Sequence, residues 1–204
     1  MIAIVDYGVG NLFSLESSFS AIGKEVITTS DPEVLRSAEK IILPGVGAFG
    51  DAAEKLRATG LDKVICEEAA AGKPLMGICL GMQLLLERGF EYGEHKGLGL
   101  IEGDIIPISS VIDSSLGLKI PHIGWNALSF GESKHPLFKY LDEGDCVYFV
   151  HSFFASRCDS VIATTEYGAT LTAAVAKGNV MGCQFHPEKS GRVGLNILRA
   201  FCEM

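Results

Sequence analysis

Four short apolar runs punctuate the first ninety residues, and each leads into a stretch with apolar residues at helical spacing. Ile2–Asp6 is the first, closed by Gly8-Val9-Gly10-Asn11; Leu12, Leu15, Phe19 and Ile22 then share a helix face that Gly23 ends. Glu25–Thr28 is the second, followed by Asp31-Pro32, an N-cap with proline at the first helical position. Lys40–Leu43 is the third, running into Pro44-Gly45-Val46-Gly47, with helical stretches around 51–59 and 61–71. Leu75–Cys79 is the fourth, and it passes into a helix over Leu80–Arg88 with no loop between them. Such alternation predicts an α/β fold: a doubly wound, mainly parallel open sheet with flanking helices.

Beyond Gly97 the helical pattern fades and strand-like runs take over: Asp104–Ile108, Val147–Phe154, Val161–Thr165, Thr170–Ala176 and Val180–Phe185. Tyr167-Gly168 and Lys177-Gly178-Asn179 are turn signals between them, so hairpins and a β-rich C-terminal flank are expected. A helix with Val193, Ile197, Leu198 and Phe201 on its face closes the chain. No repeat or linker interrupts it, and residues 1–204 read as one domain carrying a β-rich insertion at its edge. That length is short of the roughly 250 residues of a whole (β/α)8 barrel.

Charge narrows the partners. Seventeen Lys+Arg against 25 Asp+Glu give a net charge of −8, with no basic block. That is the wrong sign for tracking nucleic-acid phosphates or an anionic membrane surface. Asp6 interrupts the start before a signal sequence could form, and Pro74–Leu86 is broken by Gly77, Gly81 and Gln83, so a cytoplasmic location is expected. Six cysteines contain no Cys-x-x-Cys pair, which removes the zinc spacing and leaves no metal or cofactor to expect.

One cysteine stands apart. Gly77-Ile78-Cys79-Leu80-Gly81 lies where a buried strand turns directly into a helix, the logic of a nucleophile elbow with sulfur in place of oxygen. The helix N-terminus there favours a thiolate. A base is offered by Phe185-His186-Pro187-Glu188 at the end of the last strand. In an extended segment i and i+2 share a side, so Glu188 can orient His186, and Cys79–His186–Glu188 is the candidate triad. Leu80 N–H is one candidate oxyanion donor, and the Pro44–Gly47 segment can supply a second. Gly8-Val9-Gly10 is not a dinucleotide fingerprint, because Phe13 stands where its third glycine belongs.

These motifs, in this order and spacing, resemble the class I (triad) glutamine amidotransferases. Asp6–Leu12, Pro44–Gly50, Gly77–Gln83, Gly97–Ile101, Pro121–Asn126, Tyr148–Ser152 and Gln184–Ser190 narrow the resemblance to the glutaminase subunits of imidazole glycerol phosphate synthases. The resemblance implies a flavodoxin-like sheet and hydrolysis of glutamine through a Cys79 thioester, with an oxyanion held near Val46 and Leu80. It implies a glutamine pocket formed by Gly47, Gln83, Glu91, His151 and Ser152. Gly89 departs from the pattern, since the family often carries serine two positions before the glutamate.

It further implies that ammonia passes to a (β/α)8-barrel cyclase subunit. That partner makes imidazole glycerol phosphate and an aminoimidazole carboxamide ribotide in histidine biosynthesis, and Asn11, Trp125, Tyr148 and Lys189 fall at or near its interface. From the residues alone, Trp125 and Tyr148 could equally pack in the core. In the family, the glutaminase rests until the liganded cyclase adjusts the oxyanion segment. A glutaminase for another synthase, a non-catalytic scaffolding relative and another cysteine hydrolase are the competing readings. The Pro121–Asn126 block, the intact triad and the glutamine-pocket motif speak against them in turn.

Overall fold

The computed structural model describes residues 1–131 and 133–204. Its strands are β1 (Ile2–Val5), β2 (Val26–Thr29), β3 (Lys40–Leu43), β4 (Leu75–Ile78), β5 (Arg88–Gly89), β6 (His95–Lys96), β7 (Asp104–Pro107), β8 (His122–Ala127), β9 (Cys146–His151), β10 (Phe153–Ser156), β11 (Val161–Glu166), β12 (Thr170–Lys177) and β13 (Val180–Cys183). The helices are α1 (Leu12–Ala21), α2 (Pro32–Ser37), α3 (Phe49–Ala58), α4 (Leu61–Ala70), α5 (Leu80–Leu85) and α6 (Gly191–Cys202). A seven-stranded sheet runs in the order β11-β12-β13-β4-β3-β1-β2. The five strands from β13 to β2 are parallel, and β12 and β11 add antiparallel at one edge. The doubly wound sheet is therefore as expected. The hairpins at Gly168 and Gly178 extend it rather than forming a separate insertion; the flank is instead a four-stranded sheet (β10-β7-β5-β6) and the β8–β9 ribbon.

Alternation along the strands divides the core. Ala3, Val5, Ile41 and Leu43 face α2 to α5, while Ile2, Ile4, Ile42 and Met76 face α1, α6 and β9. On α6, Ile197, Leu198 and Phe201 are fully buried, each contributing about 1.5–3 kcal/mol by transfer from water. Asp31 caps α2 as its sequence suggests, its Oδ1 accepting from Glu33 N at 2.9 Å.

Helix α5 stops at Leu85, three residues short of expectation, because the following loop folds back over its end. Leu98 N donates to Leu84 O, Leu100 and Ile101 N to Leu85 O, and Gly99 N to Leu86 O. Those bonds satisfy the terminal carbonyls that further helix would have used. Similarly, the run read as one strand from Val147 to Phe154 breaks at Ser152: β9 pairs with β8, whereas β10 pairs with β7.

The sharp start of α5 requires a glycine at 81. A Cβ there would lie 1.8 Å from the Leu43 carbonyl oxygen, at the end of β3. Gly81→Ala must push α5 off the sheet, and the expected loss is at least about 2 kcal/mol, in the range of overpacked cores. Urea unfolding of the variant checks this; an unchanged midpoint would show that the helix tolerates displacement.

Candidate active site

Cys79 occupies the turn between β4 and α5 with φ 55° and ψ −111°, a left-handed conformation that is uncommon for a non-glycine residue. Strain of this kind persists only where the surroundings over-determine it. Here Cys79 N donates to Cys183 O of the neighbouring strand at 2.8 Å, and Gln83 N donates to Cys79 O at 3.1 Å. Gly77 and Gly81 flank the elbow without side chains; a Cβ on Gly77 would meet Met82 N at 2.6 Å. The elbow expected from the sequence is thus present, and Leu80, as the first residue of α5, has an N–H with no intrahelical acceptor.

His186 lies beyond the end of β13. Its N–H donates to Tyr148 O at 2.9 Å, and Ser190 Oγ donates to His186 O at 2.6 Å while accepting from Tyr148 N at 2.9 Å. Ser190 therefore fastens the histidine backbone to β9, a role its sequence position did not reveal. His186 Nδ1 donates to Glu188 Oε1 at 2.7 Å, and both side chains are almost wholly buried. Since a carboxylate only accepts, Nδ1 carries a proton towards Glu188, and Nε2 is the ring atom at which a second proton can be gained or lost. Nε2 has no hydrogen-bond partner, and Cys79 lies near enough to the ring to favour its protonated form. Burial lowers the affinity of His186 for a proton, but Cys79 and Glu188 together overcome it and raise the pKa to about 9. The contact arises differently from expectation: Pro187–Lys189 is a 3-10 turn, so the turn rather than strand alternation brings Glu188 back under the ring.

A cleft of about 340 Å³ opens above this pair. Its walls include Val46, Gly47, Cys79, Leu80, Gln83 and Glu91, faced by His151, Ser152 and His186, so every candidate pocket residue is brought together. Pro121, Val150 and Phe153 also line it. Glu91 Oε2 accepts from Phe49 N at 2.7 Å at the start of α3, which fixes the carboxylate at the cleft wall. Gly89 is explained by the same helix, since a Cβ there would lie 2.6 Å from the Phe49 ring.

Opposite Cys79, the Pro44–Gly47 segment is clamped from below. Tyr7 Oη donates to Pro44 O at 2.9 Å, and its burial, aided by Cys79, holds the phenol protonated well above its ordinary range. A Cβ on Gly10 would come within 3.2 Å of Pro44. The Gly8–Asn11 loop thus packs against the Pro44–Gly47 segment through Gly10, and the positive φ of Gly8 and Gly10 (83° and 130°) accounts for both glycines without any dinucleotide.

Behind Ser152 lies a buried histidine pair. Phe153 O can only accept, so His151 donates to it through Nδ1 at 2.8 Å and accepts through Nε2 from His122 Nδ1 at 3.0 Å. Burial lowers both imidazoles to about 4, and His122 stacks between Phe149 and Tyr167. Both rings are neutral and hold the β9–β10 backbone in place.

On β8, Trp125 is 57% exposed and meets Tyr148 edge-on at 6.2 Å. Lys189 Nζ sits 5.8 Å from the Tyr148 ring centre and also lines the cleft. Core packing is thereby excluded for Trp125. Asn11 stands at the start of α1 without capping it through its side chain. Among the described residues no group of three His, Cys, Asp or Glu side chains could hold a metal, and no helix is long and apolar enough to cross a membrane.

A strained cysteine elbow, a buried His–Glu pair and a glycine-bearing loop facing them across a cleft are the parts of a thiol amidase. The model of the glutamine amidotransferase class-I family matches residues 3–204, and the chain belongs to that family. Within it, imidazole glycerol phosphate synthase subunit HisH of Lactococcus lactis subsp. lactis is 48% identical over 205 residues, covering 99% of this chain and 98% of the relative. Subunit HisH of Sulfurimonas denitrificans is 51% identical, covering 98% and 97%. A solved glutamine amidotransferase superposes with a TM-score of 0.76 at 19% identity over 100% of this chain and 98% of its own. The PurLQS structure from Thermotoga maritima superposes with a TM-score of 0.74 at 22% identity, covering 99% and 97%. These two likenesses concern the fold.

The raised His186 pKa has a stability consequence. A histidine shifted from 6.5 to about 9 on folding contributes stability that is fully present below pH 6.5 and lost as pH rises through 9. Glu188→Gln removes one source of that shift. The stability gap between wild type and Glu188→Gln, from urea midpoints across this range, is expected to be widest below pH 6.5 and to narrow as pH rises. A gap independent of pH would show that Glu188 does not hold the imidazolium.

Proposed function

We infer that the chain serves as the glutamine amidotransferase subunit of an imidazole glycerol phosphate synthase, in histidine biosynthesis. The observation that carries this reading is the cysteine elbow facing a buried His–Glu pair, in a chain about half identical along its full length to HisH subunits. Cys79 Sγ, its proton passed to His186, attacks the side-chain amide carbon of glutamine, and the carbonyl electrons move onto oxygen. Leu80 N–H and a backbone donor near Val46 receive that oxyanion. His186 returns the proton to the leaving nitrogen, the C–N bond breaks, and ammonia departs. Water, deprotonated by His186, then attacks the thioester, and collapse breaks the C–S bond to release glutamate.

Gln83 and Glu91 hold the amino-acid end of the substrate, with Gly47 and the His151–Ser152 backbone completing the pocket. The acceptor of ammonia is a (β/α)8-barrel cyclase docking over Asn11, Trp125, Tyr148 and Lys189. The exposure of Trp125 beside Tyr148 supports that placement, since large aromatic side chains at a surface mark interfaces. Working beside a soluble biosynthetic partner, the pair belongs in the cytoplasm.

The coupled assay tests this: purified chain, cyclase and cyclase ligand, with glutamate and imidazole glycerol phosphate measured. Wild type is expected to form both, and Cys79→Ala to lose glutamate release by at least about 10³-fold. Equal rates for wild type and Cys79→Ala would overturn the enzymatic reading. We also propose that rearrangement of Pro44–Gly47 switches the glutaminase on. Glutamate release is then expected to rise at least about tenfold when liganded cyclase is added. A rate that ignores cyclase and ligand would sink the switch while leaving the triad standing.

A further inference from the structure

The glutamine preceding Phe185-His186 was assigned no role by its sequence, yet its side chain reaches the reacting sulfur. Gln184 is completely buried, and its backbone N donates to Ala173 O at 2.8 Å on β12. Its Nε2 lies 3.7 Å from Cys79 Sγ, and its Oε1 lies 3.0 Å from Gln83 Nε2. The direction of this amide is fixed by a chain of obligatory roles. Phe153 O is an acceptor only, so the Gln83 atom 3.2 Å from it must be the nitrogen. That same nitrogen then donates to Gln184, which must present oxygen to it. The other arm of the Gln184 amide is therefore N–H, and it faces the sulfur.

An N–H at that distance discriminates between the two states of the sulfur. A thiolate is a far better acceptor than a thiol, and a donor bonded to the charged form favours it. Reversed, the amide would set a carbonyl oxygen against the negative sulfur, a repulsive arrangement that the Gln83 and Phe153 contacts exclude.

We propose that Gln184 is a further catalytic residue, whose side-chain N–H holds the Cys79 thiolate before attack and receives it again as the leaving group. This rests on the thiol-amidase reading of the site. On attack, the sulfur electron pair forms the S–C bond and the carbonyl pair moves to oxygen, so the N–H···S bond weakens. After water has added and His186 has taken its proton, the oxyanion pair re-forms the carbonyl and the C–S pair returns to sulfur. The developing thiolate then meets the waiting Gln184 N–H. Gln184 thus serves both halves of the cycle, and Gln83 positions it. Both N–H groups of Gln83 are spent on Phe153 and Gln184, so Gln83 has only its Oε1 to offer a substrate.

The experiment follows the pH dependence of Cys79 alkylation by iodoacetamide, resolved by peptide mass spectrometry, with the exposed Cys146 as internal reference. Gln184→Met removes the donor at similar volume, and Gln184→Glu keeps the shape while replacing N–H with a carboxyl. The alkylation midpoint of Cys79 is expected to rise by about one pH unit in Gln184→Met and further in Gln184→Glu. In the cyclase-coupled assay kcat is expected to fall about 10- to 100-fold, with KM changing less than about threefold. A readout on the wild type needs no variant. The Gln184 side-chain amide resonances, assigned in a 15N-labelled sample, are expected to titrate with the Cys79 midpoint and to lose that step in Cys79→Ser. Folded variants with unchanged midpoints, or amide resonances indifferent to the state of Cys79, would overturn the proposal. Absence of glutamine hydrolysis in the wild type would instead strike the functional reading, because the alkylation and resonance measurements do not depend on it.

Discussion

The carbonyl of Leu43 and the backbone of Gly81 approach so closely that no side chain fits between them, and the active site follows from that approach. With α5 pressed against the end of β3, the chain has no room for a loop after β4 and must reverse within one residue. Cys79 takes the left-handed conformation that this demands. Its side chain is thereby lifted above the carboxyl ends of β3, β4 and β13, where parallel α/β sheets leave their crevice. The same contact sets the start of α5 beside the Pro44–Gly47 segment, so the N–H of Leu80 and the proposed second oxyanion donor converge from two elements already held together. A Cβ on Gly45 would lie 2.9 Å from Gly81 N, so the second glycine on the β3 side preserves the convergence that Gly81 permits.

The surrounding polar groups are arranged by exclusion of alternatives. Phe153 O collects the protons of His151 and Gln83, and because a carbonyl can only accept, both partners are locked in one orientation. From His151 the constraint passes to His122, and from Gln83 it passes to Gln184 and the sulfur. One main-chain carbonyl at the start of β10 thus dictates hydrogen positions along both walls of the cleft. Buried polar chains are costly when any member is unpaired, so this arrangement gives the pocket a single low-energy state. His186 Nε2 stands outside it without a partner, and it is the atom that the proposed reaction needs free to move a proton.

How much of this could be read from the sequence depends on how far apart the partners lie. The elbow is legible because Gly77, Cys79 and Gly81 are neighbours, and a strand meeting a helix without a loop permits few conformations. His186 and Glu188 are legible because they lie two positions apart, although a 3-10 turn rather than a strand joins them. Tyr7 and Pro44, Gln83 and Gln184, and His122 and His151 are buried pairs 29 to 101 residues apart. No periodicity couples such positions, and only folding makes them partners. The β8 strand leaves little trace in the sequence for a related reason: it belongs to a two-stranded ribbon, with Ile123 and Trp125 exposed. Local preference is weakest where so little of a strand is covered.

The division of donors and acceptors also gives the cleft a direction. At the end near Cys79, backbone N–H groups and the His186 imidazolium present positive character to a carbonyl that acquires negative charge. Where Gln83 and Glu91 line the cleft, Gln83 has only oxygen left to offer, and one oxygen of Glu91 is spent on Phe49 N while the carboxylate remains at the wall. An α-ammonium group finds acceptors there, whereas an α-carboxylate would be repelled from the same spot. On the proposed reading, glutamine can therefore enter in one orientation only, with its amide over the sulfur. Phe153 O and the Gln184 side-chain oxygen take up the N–H groups of Gln83, and Glu91 takes up that of Phe49, which removes the donors that would have allowed the reverse.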